Sequence, residues 1–100
     1  MMLSVQFIEM LNRATNDGSV KWVQREDFIC SETERRYNGH KYVICRYEFD
    51  GAPDEVSFNR IDHYGNMIRP YREFKSGDIV YEALIDLAAK VNEKKKVMSS

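Results

Sequence analysis

Four side chains are of types that ligate soft metals or act as nucleophile and base: Cys30, His40, Cys45 and His63. Their spacing supports neither use. No Cys-x-x-Cys and no His-x-x-x-His pair occurs, and such spacings bring two ligands to one zinc ion. No Gly-x-Ser-x-Gly elbow presents a serine. Two cysteines are too few for a secreted disulfide scaffold. They read as reduced thiols in a core, where a thiol behaves as a small hydrophobe and is inert. Neither a metal nor a cofactor is expected.

Acid–base chemistry is the stronger candidate. Asp62-His63-Tyr64 lies near Arg60, Arg69 and Arg72. A histidine base, a tyrosine acid and arginine phosphate clamps are the parts of a ribonuclease-like site. Adjacent strand residues point to opposite faces, however, so Asp62 and His63 do not converge. Phosphate cradles of the Gly-x-x-x-x-Gly-Lys or Gly-x-Gly-x-x-Gly kind are absent. If Gly65-Asn66 centres a turn, Arg60, Tyr64, Arg69 and Tyr71 share one sheet face with Asp62 and Glu73. Interleaved Arg and Tyr can stack bases, but the acids among them weaken the field that nucleic acid would seek.

The elements that must position these residues follow from periodicity. Phe7, Ile8, Leu11 and Ala14 make one apolar stripe, which predicts a helix from Ser4, its N-cap, to about Thr15. Asn16-Asp17-Gly18 stops it. Ser19–Val23 and Phe28–Cys30 are β-branched and aromatic, separated by a polar bend or bulge. Tyr42–Phe49 is a strand, closed by Asp50-Gly51-Ala52-Pro53-Asp54. Asn38-Gly39 is the strongest hairpin signal. Counting outward from it, Tyr37 faces His40, Cys30 faces Tyr47 and Phe28 faces Phe49, with Val43 and Cys45 on that same face, assigned to the core. Val56–Ile61 is a third strand, and Met67–Tyr71 a fourth, at an edge because Pro70 cannot donate to a ladder. Ser76-Gly77-Asp78 opens a last helix, whose stripe is Val80, Leu84, Leu87, Ala88 and Val91. Residues 94–100 are expected to fray.

This order, a helix, three or four antiparallel strands in a meander, then a helix, implies an α+β two-layer sandwich with both helices on one sheet face. The other face is left open to water, a ligand or a second copy. One hundred residues make a single domain, 1–100, of about 13 Å radius of gyration. Fifteen basic against sixteen acidic residues exclude a strongly basic nucleic-acid binder at the whole-chain level. No apolar run approaches the ~20 residues that cross a bilayer, and the start lacks a signal-peptide pattern, so a cytoplasmic protein without membrane contact is expected.

Aromatic content then points to binding. Six Tyr, five Phe and one Trp exceed what the core positions absorb. Tyr and Arg are enriched where proteins dock. The opening helix ending Asn16-Asp17-Gly18, the Ser19-Val20-Lys21-Trp22 that follows, and the closing Tyr81-Glu82-Ala83-Leu84-Ile85-Asp86-Leu87-Ala88 helix resemble those of small uncharacterised proteins of bacteria, their phages and mobile elements. That resemblance implies an accessory or inhibitor protein that works by binding. The expected function is a non-enzymatic module that docks on a protein partner through the open face or an edge. Its candidate anchors are Tyr42, Arg60, Tyr64, Arg69 and Tyr71, and a homodimer is the self-paired version. Two other classes stand beside it: a small-ligand or nucleotide sensor with a pocket near Trp22, and a ribonuclease-like or nucleic-acid-binding protein using His63 and the nearby arginines.

Overall fold

A computed structural model describes residues 3–25, 29–68 and 72–95. The elements run α1 (Val5–Asp17), β1 (Trp22–Gln24), β2 (Cys30–Thr33), β3 (Lys41–Phe49), β4 (Ala52–Ile61), β5 (Glu73–Phe74) and α2 (Tyr81–Lys94). The five strands form one antiparallel sheet in the order β1-β2-β3-β4-β5. This is the α+β helix–meander–helix layout with one strand more than expected. The radius of gyration is 12.8 Å.

The helix ends form as the residues dictate. The Ser4 hydroxyl accepts from the Phe7 N–H at 3.1 Å, and Gly18 takes the left-handed conformation, φ 88°, that ends α1. Ile8, Leu11 and Thr15 of α1 and Tyr81, Leu84, Leu87, Ala88 and Val91 of α2 are buried. They pack with Trp22, Tyr42, Ile44, Val56 and Phe58, so both helices cover one face of the sheet. α2 starts at Tyr81, three residues beyond Asp78. The Asp78 carboxylate is occupied instead by the Lys75 N–H at 2.7 Å, in a turn before the helix.

The strand region departs from expectation in its registers. In place of one interrupted strand, β1 and β2 are separate strands paired antiparallel, with Trp22 opposite Thr33. Asn38 (φ 51°) and Gly39 (φ 82°) form the turn as predicted, and Tyr37 pairs with His40. Further out, Cys30 faces Cys45 rather than Tyr47. Three residues separate Thr33 from Tyr37, but only Lys41 separates His40 from Tyr42, so the ladder shifts by two. There the Thr33 hydroxyl accepts the Tyr42 N–H at 3.0 Å. A shift of two leaves every side chain on its original face, so the facial grouping of Cys30, Val43 and Cys45 survives. β4 begins at Ala52, four residues before Val56. Of the expected fourth strand, Met67 bridges Ile61, Ile68 continues, and β5 lies further on. Pro70 and the Phe28 pairing lie outside the described residues, as do residues 96–100 of the expected frayed tail.

The face away from the helices is the one that carries Cys30, Val43 and Cys45, and the helix side is the main core. Neither is bare. Val43, Cys45, Ser57, Asn59 and Ile61 are buried, with Tyr47 and Met67 packed beside them. The Asn59 side chain holds the backbone of Arg72, accepting its N–H at 2.8 Å and donating to its carbonyl at 3.3 Å. This clamp holds Arg72 beside β4, at the edge of that face, where its carbonyl also accepts the Phe58 N–H. Cys30 and Cys45 are joined in a disulfide, with Cα atoms 4.1 Å apart. Antiparallel partners in a non-hydrogen-bonded pair approach this closely, which corrects the reduced-thiol reading.

Candidate functional site

An antiparallel meander puts alternate turns at the same end of its sheet. The β2–β3 turn (37–40) and the β4–β5 turn (62–66) therefore lie side by side. The second turn is built on Asp62, whose carboxylate accepts the N–H groups of Tyr64 (2.9 Å) and Asn66 (3.0 Å). Gly65 (φ 84°) supplies the left-handed residue of a three-residue loop, and its N–H reaches the Asp62 carbonyl. The turn is thus centred on His63 and Tyr64, not on Gly65-Asn66.

Two arginine–histidine contacts stand at this end. Arg60 Nη1 lies 3.3 Å from His40 Nε2, and Arg36 Nη2 lies 3.3 Å from His63 Nδ1. Alternation sets the first pair on the helix side, with Tyr42 opposite Arg60 in the ladder. Neither guanidinium has a carboxylate partner among the described residues. A guanidinium has no lone pair to offer, so each facing imidazole nitrogen must accept. His40 then carries its proton on Nδ1, which faces the Asn38 carbonyl at 3.3 Å. Asp62 is committed to the turn backbone.

The five expected anchors separate. Tyr64 is at the surface, 83% exposed, with its ring edge-on to His63. Arg60 is half-buried. Tyr42 is no surface anchor: it is 6% exposed on the helix-covered face, its ring stacked on Phe58 and tilted against Phe7. Burial pushes its phenol up from the ordinary tyrosine value, with Arg60 opposing and Tyr37 adding to the shift. Tyr81 is buried as well, its hydroxyl donating to the Asp54 carbonyl at 2.5 Å. Arg69 and Tyr71 lie outside the described residues. His63 meets Arg36, and Arg72 is engaged through its backbone by Asn59.

No protein-family model, curated protein or solved structure matches the chain. Other candidate sites are weaker on geometry. Trp22, beside which a ligand pocket was expected, is 1% exposed, and its indole N–H donates to Thr15 Oγ1 at 2.9 Å. A cleft of about 580 Å³ opens elsewhere, between the C-terminal half of α2 and the β2–β3 pair, with Ile29, Phe49, Ala88 and Lys95 among its lining residues. No three metal-ligating side chains gather among the described residues, and the disulfide consumes both thiols.

Proposed function

We propose that the chain is a non-enzymatic binding module of the accessory or inhibitor type, docking on a protein partner through the sheet end where its two turns lie together. Tyr64 carries this reading. A large aromatic left in water, at the same sheet end as two guanidiniums that no carboxylate engages among the described residues, has the composition of an interface hot spot. Binding is favoured over proton transfer because both ring nitrogens of His40 are already taken, and the Nδ1 lone pair of His63 faces Arg36. Docking by strand addition has less support, because the edge strands β1 and β5 are three and two residues long. A cytoplasmic site of action belongs to the same proposal; among the described residues no helix is long and apolar enough to cross a membrane.

The test uses a partner cross-linked to the chain in its source cell, then purified and titrated against it. The double substitution Tyr64→Ala, Arg36→Ala should weaken binding by about thirtyfold or more, the loss of one hot spot. Unchanged affinity, with an unchanged circular dichroism spectrum, would overturn the assignment.

A further inference from the structure

On the face away from the helices, Ser57 Oγ is fully buried and has no hydrogen-bond partner among the described residues. Ser57 sits directly opposite Cys45 in the β3–β4 ladder, and Cys45 directly opposite Cys30 in the β2–β3 ladder. Hydroxyl and disulfide therefore form one row across three strands, with Val43, Ile61 and Met67 around the sulfurs. Buried hydroxyls are almost always paired, and an exception asks for a reason. A disulfide sulfur has no hydrogen to donate and accepts poorly. A thiol at the same place can donate, and a thiolate there accepts strongly.

We propose that Cys30–Cys45 is a reversible redox site, opened by dithiols in the folded protein, and that Ser57 is the positioning residue for its leaving group. The thiolate of an external dithiol attacks Cys30 Sγ, since Cys30 is the more exposed of the pair, 6% against 1%. The Cys30–Cys45 bond breaks and its electron pair stays on Cys45 Sγ. A new bond joins the reagent to Cys30. The Cys45 thiolate turns about its Cα–Cβ bond to accept the Ser57 O–H, then takes a proton. The second thiolate of the reagent displaces Cys30, which is protonated in turn. Two electrons and two protons have passed to the chain, and the reagent is left as a disulfide. A stabilised thiolate leaves faster, and the hydroxyl gains its partner only in the dithiol form.

The experiment follows reduction of the folded protein by dithiothreitol, with acid quenching, alkylation and mass spectrometry. Rate and equilibrium are measured for the natural chain, for Ser57→Ala and for Ser57→Thr, which keeps the hydroxyl. Ser57→Ala should slow reduction by about tenfold, as expected for one hydrogen bond to the departing thiolate, and shift the equilibrium toward the disulfide by the smaller amount of a hydrogen bond to a neutral thiol. Ser57→Thr should restore both. Equal rates for the natural chain and Ser57→Ala would overturn the proposal. So would a Ser57→Thr chain as slow as Ser57→Ala, or reduction that proceeds only in denaturant.

Discussion

Replacing Thr15 by valine removes a buried bond that ties the end of α1 to the sheet. Thr15 is 1% exposed, and its hydroxyl donates to the Leu11 carbonyl at 2.7 Å while accepting the Trp22 indole N–H at 2.9 Å. Valine keeps the shape and leaves that N–H buried without an acceptor, at a cost of about 1–3 kcal/mol. The added methyl returns up to about 0.8 kcal/mol. A net loss of about 1.5 kcal/mol lowers Tm by roughly 6–12 °C in a domain of this size. Measured by far-UV circular dichroism, the decisive comparison is a cycle with Trp22→Phe, which has no N–H to strand. Thr15→Val should cost about 1 kcal/mol less in that background. An equal cost in both backgrounds would show that the loss comes from packing, and the bond would carry no stability.

Reduction of Cys30–Cys45, which closes a loop of 15 residues, should destabilise the fold by about 3 kcal/mol in urea titrations; a loss near zero would mean that the hairpin already restrains the unfolded chain. The Asp17 carboxyl is held below the usual carboxylate range by the Ser19 hydroxyl and then by the Ser19 N–H. A lowered folded-state pKa gives stability that is present above the ordinary range and lost as pH falls through the folded value. Asp17→Asn should therefore flatten the acid limb of the urea-midpoint profile; two parallel limbs would refute this.

The layout of the chain was legible because the helix stripes, the Ser4 cap and the Asn38-Gly39 turn are local signals that agree with one another. The sheet registers were not. Two extra residues between Thr33 and Tyr37 moved the pairing of Cys30 from Tyr47 to Cys45, and no property of Glu34, Arg35 or Arg36 announces such an irregularity. The faces carrying the cysteines and Tyr42 were exchanged because Val43, Cys45 and Ile61 on one side, and Tyr42, Ile44 and Phe58 on the other, are both apolar sets. Alternation cannot say which set meets the helices when both are hydrophobic. The meeting of Arg36 with His63 had a signal in the meander itself, which puts the second and fourth turns at one end; what hid it was reading each turn alone.

The last helix has a consequence for synthesis. Every strand pairs with its sequence neighbour, so the sheet can assemble as the chain leaves the ribosome. Its main apolar face cannot close until α2 arrives with Leu84, Leu87 and Val91, which pack there beside α1. Until then Ile44, Val56 and Phe58 have no final cover. The nascent protein thus passes through a sticky stage that ends only once α2 has emerged, and a ribosome stalled before that point would hold out a chain suited to chaperones or aggregation.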